Sequence, residues 1–207
     1  MFGIDFASFS ELMNQGGPIM WPLLILSVLG VTLIFERCWF WLRTNNAASL
    51  TRFRLLRDTL NRGNWATAKT MVAMDNSVYG QIVRSLLDDQ NNDAAAAAAL
   101  ETQRPRMERF MGTLSTIITA APMLGILGTV TGLIGSFNVL GEGVSDPRAI
   151  SPQIAEALIT TAAGMVIAIV ILFPFNAFRT QIDRSFARVE TLLAAAVSNG
   201  REQHEDR

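Results

Sequence analysis

Three long apolar stretches that carry no formal charge divide this 207-residue chain, at residues 18–35, 110–140 and 157–178. The middle stretch runs for 31 residues. As a helix it would be about 46 Å long, whereas the hydrocarbon core of a bilayer is roughly 30 Å thick. A soluble domain of this size has little use for three such segments. The sequence therefore predicts an all-α integral membrane protein with three spans.

The composition excludes several classes of function. A net charge of −1 gives no basis for nucleic-acid binding. With Cys38 and His204 as the only residues of their types, neither a disulfide framework nor a Cys/His metal cluster can form within one chain. Spans two and three contain no Cys or His that could activate a nucleophile. An intramembrane enzyme is therefore a poor hypothesis, and we expect no catalytic residue, no metal and no cofactor.

The basic residues are distributed unevenly about the three stretches. Of the 17 Lys and Arg residues, eleven lie in 37–109 and five follow the third stretch. Arg148 is alone between the second and third stretches, and no basic residue precedes the first. Because Lys- and Arg-rich loops stay in the cytoplasm, the N-terminus and the loop around Arg148 should face outward. The other two connecting regions should then be cytoplasmic.

These observations predict seven segments in chain order. They are an outward N-terminal segment (1–17), a first transmembrane helix (18–42), a cytoplasmic helical segment (43–109), a second transmembrane helix (110–140), a short outward loop (141–149), a third transmembrane helix (150–178), and a cytoplasmic helix with its tail (179–207). Within them, Asn64 is predicted to cap a helix. Pro105 either kinks a helix or begins a new one. Gly200 is predicted to start a frayed polar tail.

Small residues form a stripe along each of the last two spans. Span two carries Pro122, Gly125, Thr129, Gly132 and Ser136, with Gly128 and Gly132 as a small-xxx-small pair, and span three carries Ala157, Thr161, Gly164 and Ala168. Small side chains let helices approach closely in lipid, so Pro122 and the glycines predict a packing seam. A three-helix monomer would leave one stripe without a close partner, and we therefore expect several copies to form a ring. The Thr129 hydroxyl has two interpretations: it bonds its own backbone, or it lines a wet path.

Glu156 is the one acid close to the apolar spans on the outward side. A carboxylate near hydrocarbon is costly and usually faces a bundle interior or a water-filled cavity. Either Glu156 lies deep enough to take part in proton or cation passage, or it lies at headgroup level, about one turn into its helix, and stabilises the N-terminal dipole. On an ideal helix Glu156 and Thr161 are about 140° apart, so they need not share a cavity.

Two motifs on this layout resemble the MotA/TolQ/ExbB proton-channel family, in its ExbB/TolQ branch. The first is Ala121-Pro-Met-Leu-Gly-Ile-Leu-Gly-Thr-Val-x-Gly, and the second is Ile154-Ala-Glu-Ala-Leu-Ile-Thr-Thr-Ala-x-Gly, followed by Asn176-x-Phe178. MotA-type subunits have four spans, whereas this chain has three predicted spans. Spans two and three match closely, and the rest of the chain matches through its layout.

The resemblance implies a mechanism. Members of the family form a pentameric ring around the transmembrane helices of a dimeric ExbD- or TolR-like one-span partner, which brings the titrating Asp. Thr129 and Thr161 map onto the ring threonines that line the path, and Glu156 maps onto the span-three acid. Proton passage then moves the partner, and a TonB- or TolA-like protein carries the work onward. The implied location is the bacterial inner membrane, with a periplasmic N-terminus and a cytoplasmic C-terminus.

The chain departs from the family pattern at a few positions. Thr131 stands where a large residue is common, Val170 replaces a proline that here comes at Pro174, and Phe175 stands where a Tyr is common. None of these departures touches Thr129, Glu156 or Thr161. The alternative hypothesis is a non-conducting membrane scaffold of the same fold, in which the Gly and Thr stripes serve packing alone.

Overall fold

The computed structural model describes residues 13, 15–44, 47–73, 80, 81, 83, 84, 93–143 and 147–205. Within these residues the chain is helical. The helices with defined bounds are α1 (Met20–Thr44), α2 (Ala47–Asn61), α3 (Trp65–Ala73), α4 (Asp93–Met107), α5 (Met111–Gly141) and α6 (Pro147–Glu205). Most of the predicted outward segment 1–17 and part of the predicted loop 141–149 lie outside the described residues.

Three of these helices are long and apolar enough to cross a membrane. They are α1, α5 and the Pro147–Thr191 part of α6. At most 28% of the most apolar window of any of them is buried inside the chain. Such a surface suits lipid or further protein and does not suit water. The prediction of an all-α protein with three spans is confirmed.

The chain divides into two compact units. The first contains Met1–Phe35 and Phe110–Asn176, and the second contains Glu36–Arg109 and Ala177–Arg207. In the first unit, buried Met20 and Leu23 of α1 pack with Ala121 of α5. Further along α1, Gly30 leaves room for the side chain of Ile171, since a Cβ at Gly30 would overlap it. The missing side chain thus lets α1 lie close to α6.

The second unit is built on short amphipathic helices. Leu56 and Leu60 of α2 are buried, as are Val72 of α3 and Ile182 of α6. The Asn64 side-chain oxygen accepts the Thr67 N–H at 3.2 Å, so Asn64 caps α3 as predicted. Burial of one apolar face on each helix is what stabilises such a unit in water.

Pro105 does not begin a new helix, and α4 does not continue through it into α5. It lies inside α4, two residues before the helix ends at Met107. Proline has no N–H for the carbonyl four residues earlier, and this weakens the last turn. The chain then turns at Phe110, whose φ is 64°, before α5 begins at Met111.

The end of the chain differs from the prediction. Gly200 was expected to begin a frayed tail, but α6 continues through it to Glu205. Pro174, the displaced proline, also lies inside this helix. Three successive alanines, beginning at Ala194, precede Gly200, and alanine is the strongest helix former, so the run offsets the weakness of one glycine.

Candidate functional site

The hydroxyl of Thr161 joins the second and third spans. Its Oγ1 donates to the main-chain oxygen of Gly125 at 2.7 Å. The contact is close because Gly125 has no side chain: a Cβ there would lie 3.0 Å from Thr161 Cα and 3.1 Å from Thr160 O. In a regular α-helix the Gly125 oxygen already accepts the Thr129 N–H, so the Thr161 hydroxyl is a second donor to it.

Thr129 lies one turn further along α5, and its hydroxyl bonds its own helix. Its Oγ1 donates to Ile126 O at 2.6 Å, and the residue is half-buried. A threonine hydroxyl has one proton and two lone pairs. Thr129 and Thr161 both give that proton to a main-chain carbonyl, so each oxygen keeps acceptor capacity for a further partner.

The sequence interpretation missed Thr160, although it stands beside Thr161. Thr160 is 1% exposed. Its hydroxyl donates to Ala157 O at 2.9 Å and Glu156 O at 3.1 Å, both in its own helix. A Cβ added to Gly128 would overlap the Thr160 side chain. Position 160 continues the buried spacing of Ala157 and Gly164, a signal that could have identified it.

The two predicted stripes pack against each other within one chain. A Cβ at Gly132 would lie 2.8 Å from Ala157 Cβ, and a Cβ at Gly164 would overlap Ala121 O. Gly125, Gly128, Gly132 and Gly164 are all buried, and Pro122 is half-buried. The expectation that a monomer leaves one stripe without a close partner is therefore wrong. The consecutive helices α5 and α6 meet through the faces that carry the two stripes.

Glu156 lies well inside α6, against the turn that precedes α1. It is the tenth residue of a helix that begins at Pro147, which is about 13 Å along the axis. The effect of a helix dipole is confined to about the first turn, so the expected position of Glu156 one turn into its helix is wrong, whereas its depth in the membrane stays a prediction. The half-buried Glu156 carboxylate contacts Gly17, whose φ of 64° suits glycine and whose missing side chain leaves room for the carboxylate.

The second unit holds a buried arginine that the sequence analysis did not single out. Arg37 is 1% exposed, and its Nε donates to Glu36 Oε2 at 2.8 Å. Its Nη1 donates to Met107 O at 3.2 Å, at the C-terminal end of α4, where carbonyls lack helical partners. Because Arg37 comes two residues after the first apolar stretch, the sequence presents it only as one more cytoplasmic charge.

Acidic and metal-ligating side chains are sparse around these spans. Among the described residues, no three His, Cys, Asp or Glu side chains lie together as a metal would require. Thr129 and Thr161 do not titrate near neutral pH. Within residues 110–140 and 150–178, Glu156 is the one ionisable side chain, and the hydroxyls and main-chain carbonyls supply the other hydrogen-bonding groups discussed above.

Several known proteins are similar to this chain over most of its length. Residues 69–191 match the model of the MotA/TolQ/ExbB proton channel family. The chain is 39% identical over 174 residues to the putative biopolymer transport protein ExbB-like 1 of a Synechocystis species, covering 78% of this chain and 67% of that protein. It is 34% identical to ExbB-like 3 of the same organism, over 84% of this chain and 87% of that protein. It is 30% identical to the biopolymer transport protein exbB1 of Vibrio cholerae, over 90% and 86%.

Proposed function

The chain belongs to the MotA/TolQ/ExbB proton channel family, in the ExbB/TolQ-like branch, and we propose that it is the channel subunit of an energy-converting complex. In this proposal it works with an ExbD- or TolR-like one-span protein that supplies an intramembrane acid. Proton passage moves that partner, and a TonB- or TolA-like protein transmits the work. The observation that carries the proposal is the Thr161 hydroxyl, held between two apolar spans by Gly125 O at 2.7 Å.

The state of the hydroxyls fits a partner that carries the proton. Thr161 and Thr129 each use their single proton on a main-chain oxygen. What they offer to a neighbour is lone pairs, and the complement of a lone pair is a water molecule or a protonated carboxyl group. Because a threonine hydroxyl does not titrate near neutral pH, the acid that loads and releases the proton belongs to the partner.

Glu156 supplies the chain's own carboxylate in this proposal. It is half-buried, 13 Å along α6 by helical rise, and contacts the Gly17 turn. Ionisable groups at such positions mark ion pathways when they face a cavity or a bundle interior. We assign Glu156 to the outward end of the proton path, with Thr129 and Thr161 further in.

Assembly into a ring is also part of the proposal. With the glycine stripes used inside the chain, other apolar faces of the spans stay uncovered. Examples on α5 are Met123, Ile126 and Phe137, which are 57–67% exposed. Lipid and neighbouring copies of the chain would cover these faces, and the family resemblance sets the copy number at five.

The proposed location is the bacterial inner membrane. The distribution of basic residues supports an N-terminus in the periplasm and a C-terminus in the cytoplasm. The second unit, with its buried Arg37, then lies on the cytoplasmic side.

A non-conducting scaffold of the same fold is the second candidate. The bond from Thr129 to its own Ile126 O favours it, since this hydroxyl is satisfied without a wet path. The test is to co-purify the chain with a one-span partner that carries an intramembrane Asp, reconstitute the complex in liposomes and measure proton flux with a pH-sensitive dye. Flux that disappears when the partner Asp is changed to Asn supports the channel. A tight complex without flux supports the scaffold.

A further inference from the structure

Two consecutive threonines of α6 meet α5 in different ways. Thr161 bonds Gly125 across the seam, whereas the Thr160 hydroxyl bonds only carbonyls of its own helix. Thr160 therefore contacts α5 by packing and not through its hydroxyl hydrogen bonds. Its side chain occupies the space that a Cβ on Gly128 would take.

We propose that Thr160 is a positioning residue, and that its fit against Gly128 sets the spacing of the two spans at the level where Thr161 bonds Gly125. This inference rests on the proposed function, because it assigns Thr160 a role through Thr161. Thr160 is 1% exposed, so its side chain cannot move aside into open space. Its Cβ is branched and stiff at χ1, so it cannot fold away either.

The contact distances show that α5 and α6 leave no room for an added side chain where they pack against each other. With the structure fixed, a Cβ on Gly128 would overlap Thr160 Oγ1 and lie 2.7 Å from Thr160 Cβ. A Cβ built on Gly125 would lie 3.0–3.3 Å from main-chain atoms of Thr160 and Thr161 in α6. An alanine at 128 must therefore push the spans apart, and a 2.7 Å hydrogen bond one turn away lengthens with them.

The hydroxyl of Thr160 is dispensable for this role. The carbonyls that it bonds, at Glu156 and Ala157, also have their own helical N–H donors. Valine has nearly the same shape as threonine without the hydroxyl. Thr160→Val should therefore keep the spacing, while Thr160→Ala leaves a void beside Gly128.

The spacing can be measured without any activity. A Cβ on Gly135 would lie 3.5 Å from Gln153 Cγ, the position that the sulfur of a cysteine at 153 would take in the same rotamer, so the two positions are close enough for a disulfide. The pair Gly135→Cys and Gln153→Cys, placed in the chain with Cys38→Ser, should therefore cross-link under mild oxidant. The cross-linking rate reports the spacing of the two spans, and proton flux of the reconstituted complex with its one-span partner, measured without the cysteine pair, reports function.

We expect Gly128→Ala to slow cross-linking and to lower flux about tenfold, the effect of losing one well-placed hydrogen bond. Thr160→Gly should restore both in the Gly128→Ala chain, because it removes the Cβ that stands at 2.7 Å. Thr160→Ala should restore them less, since that Cβ stays. Gly112→Ala is the matched control on the same helix, with nothing within 4 Å of the new Cβ.

Thr160→Val should leave cross-linking and flux within about twofold of the parent, because shape is kept. The inference is overturned if Gly128→Ala changes neither rate nor flux, or if Thr160→Val lowers both as far as Gly128→Ala does. Absence of flux in the parent complex would count against the proposed function alone, since the cross-linking order of the variants would still support or overturn the spacing role.

Discussion

Thr161 Oγ1 and Gly125 O are 2.7 Å apart, and their hydrogen bond joins two apolar helices that approach closely because position 125 has no side chain. Interhelical bonds of this kind in membranes contribute about 0.6 kcal/mol on average, so the bond adds little to stability. It does fix the direction in which the Thr161 oxygen presents its lone pairs. The value of the contact to this protein is therefore in orientation.

We expect Thr161→Val to leave the complex assembled but to lower proton flux at least about tenfold. Valine keeps the shape, and the Gly125 oxygen keeps its helical donor, so the structural loss should stay near 1 kcal/mol. Flux in liposomes and assembly by size-exclusion chromatography measure the two effects separately. Thr161→Ser, which retains a hydroxyl, is the matched control and should recover most of the flux.

Thr129→Val tests the second hydroxyl, which bonds Ile126 O at 2.6 Å. We expect a loss of flux with unchanged assembly, because the lost group is an acceptor in the proposed path. Full flux in an assembled Thr129→Val complex would mean that this hydroxyl serves its own helix only.

Gly17→Ala should move the Glu156 carboxylate without unfolding the chain. A Cβ at Gly17 would overlap that carboxylate, but the carboxylate is the end of a flexible side chain and can swing away. The variant also places a Cβ at a φ of 64°, which costs about 1 kcal/mol. We expect flux to fall as far as in Glu156→Ala, and the melting temperature to fall only slightly.

Gly63→Ala is the control for this strain. Gly63 has a φ of 68°, and nothing lies within 4 Å of a Cβ built there. It should match Gly17→Ala in stability and keep full flux. Equal flux in the two variants would show that the position of the Glu156 carboxylate against the turn does not matter.

Much of the fold follows from periodicity and charge. Uncharged stretches longer than a bilayer core is thick predict spans, and a 3.6-residue spacing of small residues predicts the buried faces of α5 and α6. The observed helices Met20–Thr44 and Met111–Gly141 begin within two residues of the predicted spans. These are local properties of the chain, which is why a sequence can reveal them.

The candidate site was harder to predict from the sequence, because it depends on which helix faces are in contact. Both stripes were visible, but their mutual pairing depends on the rotation of each helix, which spacing alone does not fix. Thr160 and Thr161 are identical in type, and only the structure separates the one that fills space from the one that bonds. Likewise, the Arg37 partners at Arg106 and Met107 are about 70 residues away in sequence.

Gly132→Ala should destabilise the hairpin inside each subunit before it affects contacts between subunits. Its Cβ would lie 2.7 Å from Gln153 O and 2.8 Å from Ala157 Cβ, and the main chain cannot give way cheaply. Overpacking of this kind costs about 1–3 kcal/mol. Thermal unfolding in detergent should show the loss. Gly135→Ala, which meets Gln153 Cγ at an ordinary 3.5 Å, should be neutral, and a ring that dissociates without loss of subunit stability would contradict the assignment.

Single cysteines in a Cys38→Ser background should label according to the charge bias. We expect a cysteine at position 142 to react with an impermeant reagent from outside intact cells. Cysteines at positions 57 and 188, which lie in the Arg-rich regions, should react only after the cells are opened. Glu142 and Arg57 are exposed and Arg188 is half-buried, so none of the three positions is closed to the reagent by burial and access depends on the side of the membrane. Labelling of position 57 from outside would reverse the proposed topology.

Arg37→Met should destabilise the second unit by about 2 kcal/mol, the order expected when buried hydrogen bonds from a charged donor to main-chain oxygens are lost. The change removes the 2.8 Å bond to the half-buried Glu36 carboxylate and the 3.2 Å bond to the Met107 oxygen at the end of α4. Arg57→Met is the matched control: Arg57 and Asp58 are 3.5 Å apart with side chains 45% and 54% exposed, and such surface pairs contribute at most about 1 kcal/mol. Thermal unfolding of the purified chain measures both variants. Equal melting temperatures of the two variants would mean that the buried Arg37 guanidinium does not stabilise the packing of α4. Arg37 would then matter only as one of the cytoplasmic positive charges.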